Sequence, residues 1–127
     1  MSLVQVVLTK TWYVFDGNLL TQTDGVAMGS PTSSVVAEIY MRAHETTALT
    51  TVEHAPRVWK RFVDDVLLII KGAHLDKFYE HINNLHPKIQ FTIEHEKNGA
   101  LLFLDILVSR NGGNLSVSVY RKPTHTD

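Results

Sequence analysis

Two adjacent aspartates, Asp64 and Asp65, are the residues of this 127-residue chain whose types and spacing most directly indicate chemistry. The apolar, β-prone runs 58–62 and 66–70 flank them, which predicts two short antiparallel strands joined by a tight turn. Neighbouring side chains of a continuous strand point to opposite faces, so two adjacent aspartates can serve one site only where the chain turns. Held together they repel, and a divalent cation is the usual counter-charge. The pair also fits a plain hairpin turn with two solvated aspartates, because Asp is an ordinary turn residue.

A glycine-containing segment stands before the first long helical pattern. Gly25 and Gly29 lack Cβ atoms, so the backbone can take unusual angles there and a ligand can approach it closely. Ser30 suits an N-cap and Pro31 suits the first helical position, which predicts a helix from about residue 31 to about residue 47. Taken alone, the segment also fits a glycine turn before a capped helix. The apolar residues expected on the buried face of this helix are Val35, Val36, Ile39, Tyr40 and Ala43.

Together these segments resemble motifs of reverse transcriptases, in particular those of Penelope-like retroelements. The run Asp24-Gly25-Val26-Ala27-Met28-Gly29-Ser30-Pro31, with residues 35–41 after it, is similar to the template- and nucleotide-positioning loop and its helix. Arg61-Phe62-Val63-Asp64-Asp65 is similar to the aromatic-x-Asp-Asp catalytic hairpin. Residues 103–108 and 120–127 are similar to the sheet just before the thumb in that branch. The order and spacing agree along nearly the whole chain.

The resemblance implies a retroelement RNA-directed DNA polymerase, a nucleotidyltransferase that works by a two-metal mechanism. Asp64 would bridge the two metal ions and Asp65 would be its weaker partner, with Mg²⁺ or Mn²⁺ as the cofactor. Phe62 holds the aromatic position, where many relatives carry Tyr, and would pack near the primer end. The implied partners are an RNA template, a DNA primer and a deoxynucleoside triphosphate. The residues implied to shape the pocket for the nascent base pair are Gly25, Val26, Ala27, Met28, Gly29 and Ser30.

The chain also departs from the family pattern. The family supplies another essential aspartate from a strand before the glycine loop, and Asp16, in a predicted Asp-Gly-Asn turn, does not match that motif. Thr32 and Ser34 stand where relatives usually have Leu and Pro. We therefore expect residues 1–127 to be a partial palm domain that lacks the fingers, the first aspartate strand and the thumb. Its two-ion site would be incomplete, and the fragment alone would be inactive.

A different class of function is also open. The chain could be a non-catalytic remnant, or a reused palm fragment that acts as a binding or assembly module. In either case the absent strand would leave unpaired backbone groups beside an apolar face, and this exposed edge favours self-association.

The remaining patterns predict an α+β fold, with antiparallel hairpins and two main helices on one face, as in part of a polymerase palm. Residues 2–11 fit a helix capped by Ser2 as well as a strand, and residues 11–22 fit a small hairpin. Strands are predicted at 89–94 and over 101–109. Asn98-Gly99 is a strong hairpin signal, and a last strand follows at 115–120. The apolar positions of the second helix, which Pro87 ends, are Leu75, Phe78, Tyr79, Ile82 and Leu85.

Other candidate sites are weaker. The chain has seven histidines, but His44-Glu45 lacks a second histidine four residues on, and His81 and His86 fall on different faces of a helix. Asp105 falls in a predicted apolar strand, where pairing with a basic residue such as Arg121 is favoured over catalysis.

Composition limits the classes of protein. The chain is 44 % hydrophobic with a net charge of −1, which suits one domain with a modest core but not a self-sufficient nucleic-acid binder. There is no cysteine, so disulfides and thiolate metal sites are excluded. No apolar run approaches the roughly 20 residues needed to span a membrane. With no signal-peptide pattern at the start, we expect an intracellular protein, nuclear or cytoplasmic, that is not secreted and has no membrane partner.

Overall fold

The computed structural model describes residues 2–3, 5–6 and 10–121. The chain divides into two compact units, Met1–Thr51 and Val52–Asp127. The described residues form two longer helices and three small antiparallel sheets, so the predicted α+β class is confirmed. No helix among these residues is long and apolar enough to cross a membrane.

The first unit contains the predicted small hairpin. Strand β1 (Trp12–Phe15) pairs antiparallel with β2 (Asn18–Thr21). Asp16 and Gly17 join the strands with φ angles of +49° and +75°, and two positive φ values are typical of a type I′ hairpin turn. Every residue of both strands is exposed.

Ser2 and Gln5 form a capping box at the start of a helical segment. The Ser2 N–H donates to Gln5 Oε1 at 2.9 Å, and the Gln5 N–H donates to Ser2 Oγ at 3.3 Å. The Val6 N–H donates to the Ser2 carbonyl at 3.1 Å, and Leu3, Gln5 and Val6 are helical. The helical interpretation therefore applies to these residues, while residues 4 and 7–9 of the predicted segment lie outside the described residues.

Helix α1 (Ser33–Thr51) begins and ends later than the sequence predicted. Residues 31 and 32 form a turn instead of the first helical positions, and the Ser33 N–H donates to the Ser30 carbonyl at 3.1 Å. At the other end, threonine hydroxyls donate to the carbonyl four residues back, for example Thr51 Oγ1 to the Thr47 carbonyl at 2.6 Å. These bonds give the hydroxyls a partner within the helix, which continues to Thr51 instead of ending at about residue 47.

The predicted buried face of α1 is wrong. Val35, Ile39 and Tyr40 are 50–64 % exposed, and the buried residues are instead Ser33 and Ala48. The two buried positions of this helix carry small side chains, whereas Val35, Ile39 and Tyr40 lie at the surface.

The second unit is built on the predicted aspartate hairpin. Strand β3 (Val58–Phe62) pairs antiparallel with β4 (Asp65–Ile69). Helix α2 (Gly72–Asn84) follows, and Phe78 and Ile82 on its predicted apolar face are buried. The Trp59 ring meets Phe78 edge-on, with a centroid distance of 5.8 Å. This edge-to-face contact ties the hairpin to the helix.

The predicted strand at 89–94 does not form, because its backbone is held by a side chain. The Phe91 N–H donates to Asn83 Oδ1 at 2.7 Å, and Asn83 Nδ2 donates to the Phe91 carbonyl at 3.1 Å. The amide of Asn83, on α2, therefore occupies the place that a neighbouring strand would take.

The predicted strand over 101–109 is two strands, β5 (Ala100–Phe103) and β6 (Ile106–Asn111), with β7 (Asn114–Val119) beside β6. Leu104 and Asp105 form the turn between the first two. The Asn98-Gly99 turn is confirmed, with φ angles of +52° and +72°. A Cβ atom on Gly99 would lie 3.0 Å from the Arg110 carbonyl oxygen, so glycine is required there for space as well as for conformation.

Candidate metal and nucleic-acid site

The two candidate aspartates lie at the tip of the β3–β4 hairpin. The strands are in register from Val58 opposite Ile69 to Phe62 opposite Asp65, and Val63 and Asp64 form the two-residue turn. The sequence prediction of a carboxylate pair at a tight turn between antiparallel strands is therefore confirmed.

The turn holds a valine in a strained conformation. Val63 has a φ of +56°, a region that is rarely adopted by β-branched residues and costs about 1–3 kcal/mol. Asp64 is not among the residues with positive φ, and a positive φ at the first central position alone is typical of a type II′ turn. The Arg61 guanidinium donates to the Val63 carbonyl at 2.9 Å, across the turn. The turn therefore has a defined shape despite lacking glycine.

The pleat places the aromatic residue and one aspartate on the same face. Phe62 and Asp65 are cross-strand partners, so their side chains share one face of the hairpin. Trp59 is three residues before Phe62 in β3, so its side chain lies on the opposite face, which packs against α2. Phe62 is 60 % exposed, and both aspartates are exposed. The tip therefore presents two carboxylates and an aromatic ring to solvent.

The donor set fits part of a magnesium or manganese site. Mg²⁺ is commonly held by one or two carboxylates and completes its octahedral shell with water and substrate phosphates. Asp64 and Asp65 supply two carboxylates at adjacent positions, with oxygens of the kind that this ion prefers. In the part of the chain that the structure describes, no group of three or more His, Cys, Asp or Glu residues is arranged to hold a metal.

A second hairpin repeats this turn. Phe103 pairs with Ile106 across a two-residue turn, in which Leu104 has a φ of +54° and is followed by Asp105. The Asp105 side chain is exposed, and its carbonyl accepts a hydrogen bond from the Tyr120 N–H at 2.9 Å. Asp105 is therefore a turn residue, not the strand residue that the sequence predicted. Because its backbone setting matches that of Asp64, it offers a matched control.

The glycine segment of the first unit is also a defined turn. The Ser30 N–H donates to the Ala27 carbonyl at 3.3 Å, and Gly29 at the third turn position has a φ of +89°. This arrangement is typical of a type II turn, which requires a positive φ at that position. Gly25 has a φ of +78°, and its N–H donates to Asp24 Oδ1 at 3.0 Å.

The side chains of this segment differ in exposure. Met28 is fully exposed, whereas Val26, Ala27 and Ser30 are half-buried. The structure brings Phe62, Asp64 and Asp65 together in the second compact unit. The six pocket residues predicted from the glycine segment belong to the first unit.

Comparisons with models of protein families, with curated proteins and with solved structures found no match for this chain.

Proposed function

We propose that the chain is part of the palm of a retroelement reverse transcriptase, an RNA-directed DNA polymerase similar to those of Penelope-like elements. The observation that carries the proposal is the Asp64-Asp65 pair at the exposed tip of an antiparallel hairpin, with Phe62 on the same face as Asp65. This location agrees with the one expected for an aromatic-x-Asp-Asp motif, which supports the proposal. The motif order along the sequence adds support.

The proposed roles of the residues are those that the resemblance to reverse transcriptases implies. Asp64 would bridge two Mg²⁺ or Mn²⁺ ions, and Asp65 would bind one of them more weakly. Ions bound there would lower the pKa of the primer hydroxyl and stabilise the pyrophosphate leaving group. Phe62 would pack against the primer end. The turn at Val63 would hold the carboxylates in position. This matters because small misplacements in such sites cost about 100-fold in rate.

The glycine segment would position the template and the incoming nucleotide. Its positive-φ glycines leave the backbone open to close approach by a flat base. The residues proposed for this contact are Gly25, Val26, Ala27, Met28, Gly29 and Ser30. The substrates proposed are an RNA template, a DNA primer and deoxynucleoside triphosphates.

Primer extension tests the proposal. With labelled nucleotide and Mn²⁺, we expect no measurable extension by residues 1–127 alone, because two carboxylates position two ions poorly. A longer form, with an added upstream segment that carries an aspartate-bearing strand, is expected to be necessary for incorporation. Asp64→Asn should abolish that incorporation, whereas Asp105→Asn, in the matched turn, should retain it.

Incorporation that survives Asp64→Asn in the longer form would overturn the proposal. Incorporation by residues 1–127 that disappears in Asp64→Ala would instead show that the third carboxylate lies within the printed sequence.

A second candidate is a binding or assembly module derived from such a palm. The first unit favours it, because Trp12, Val14 and Phe15 on β1 are each 60–69 % exposed. Exposed aromatic and aliphatic side chains on the two faces of a two-stranded sheet are typical of a segment that meets another chain.

A further inference from the structure

A recess of about 480 Å³ lies at the open end of the β3–β4 hairpin, away from the aspartates. The Arg57 N–H donates to the Ile69 carbonyl at 2.8 Å and holds the two sides of this end together. Four residue steps separate the first strand pair from the pair at the tip, which is roughly 14 Å at about 3.4 Å per residue. The polar residues that line the recess are Glu53, His54, Arg57, Lys71 and His74.

Two stacked histidines form one wall. The imidazole rings of His54 and His74 have centroids 3.9 Å apart and planes inclined by 27°. His54 Nε2 lies 3.8 Å from Glu53 Oε1. Burial lowers the pKa of His74, and the positive charges of His54, Lys71 and Lys77 lower it further, while Glu53 opposes them. Positive charge from several elements therefore converges on this wall.

The recess holds more positive than negative charge. Arg57 and Lys71 line it and Lys77 stands close to His74, whereas Glu53 is the one carboxylate among the lining residues. Within the described part of the chain, the side chains of Arg57 and Lys71 form no ion pair or hydrogen bond. Their eight N–H donors are thus available to a ligand. Helix α2 begins beside them, and the positive end of its dipole adds to the same field.

We propose that this recess, formed by His54, Arg57, Lys71 and His74, binds a phosphate group. A phosphate carries negative charge, which complements the positive charges of Arg57 and Lys71, and it has several acceptor oxygens. Charge-assisted hydrogen bonds to such oxygens are strong. Each imidazole has at least one N–H donor in either protonation state, and a bound phosphate favours the protonated form. The proposal does not depend on the polymerase function. The phosphate could be a free phosphate or a phosphodiester of a nucleic-acid backbone.

Histidine NMR of residues 1–127 tests this site. Inorganic phosphate, added at constant ionic strength, should shift the ring C–H signals of His54 and His74 saturably and raise their titration midpoints. Arg57→Gln and Lys71→Gln should each weaken binding about tenfold, because each removes a hydrogen bond between charged groups. Lys97→Gln removes an exposed lysine in the Asn98-Gly99 turn, outside the recess, and should leave the affinity unchanged.

A second arm identifies the source of the phosphate. A short oligothymidylate without terminal phosphates should shift the same histidine signals if a nucleic-acid backbone is the ligand. Shifts with inorganic phosphate alone would assign the recess to a free phosphate or phosphomonoester. Equal shifts with chloride at matched ionic strength would overturn the proposal. So would Arg57→Gln and Lys71→Gln variants that bind phosphate as the Lys97→Gln variant does.

Discussion

Replacing Val63 by glycine should stabilise the second unit, although it removes a side chain. Val63 has a φ of +56° at the turn before Asp64, and holding a β-branched residue there costs about 1–3 kcal/mol. Glycine removes this cost but adds about 0.5–1 kcal/mol of backbone entropy to the unfolded chain. Little apolar burial is lost, because Val63 is 72 % exposed. The expected net gain is about 1 kcal/mol.

Urea unfolding of residues 1–127 measures this gain. With a slope of about 1–3 kcal/mol/M for a small protein, Val63→Gly should raise the midpoint by about 0.3–1 M. Leu104→Gly is the matched control, since Leu104 has a φ of +54° at the same turn position of the β5–β6 hairpin. It should gain less, because leucine is not β-branched and Leu104 is only 43 % exposed. A lower midpoint for Val63→Gly than for the unchanged protein would refute the strained-turn argument.

Three further predictions concern stability and association. Asn83→Ala should lower the free energy of unfolding by about 2–3 kcal/mol, because it leaves two backbone groups of Phe91 without their partner. Asn84→Ala changes an exposed neighbour and should have little effect in the same urea assay. The hydrogen bond from Arg110 lowers the pKa of the Glu96 carboxyl from its usual 4.5, so the folded state binds fewer protons than the unfolded chain as the pH falls through that value. The stability from this pair is present above pH 4.5 and is lost below it. In Glu96→Gln, the urea midpoint should therefore fall less steeply as the pH is lowered through this range. The exposed strand edges and apolar surface should make residues 1–127 self-associate, and a monomer in sedimentation experiments at high concentration would count against this.

The turns that the sequence predicted correctly are those with a local signal. Asp16-Gly17 and Asn98-Gly99 have residue types that accept positive φ, and both adopt it. The turn at Leu104-Asp105 was missed because leucine seldom adopts a positive φ, so an apolar run appeared to be one strand. The tip at Val63 is conformationally similar, and only its two aspartates marked it as a turn.

Other differences arise from contacts that a local pattern does not contain. The alternation of residues 89–94 was that of a strand, but its backbone partner is the side chain of Asn83 on α2. Helix α1 continues through a run of threonines whose hydroxyls donate to carbonyls four residues back, and composition does not distinguish such a run from a loop. His54 and His74 are 20 residues apart in the printed sequence, so their stacking left no motif to find. By contrast, the two aspartates are adjacent, and a candidate site made of neighbours could be predicted.

Manganese titration followed by NMR line broadening tests the central claim most directly. Residues 1–127 should show weak, saturable broadening centred on Asp64 and Asp65 that excess Mg²⁺ reverses and lower pH weakens. Asp64→Asn should remove it, and Asp105→Asn, in the matched turn, should leave it unchanged. Broadening that is centred on histidines, or that persists in Asp64→Asn, would contradict the proposal that the hairpin tip is the metal site of a polymerase palm.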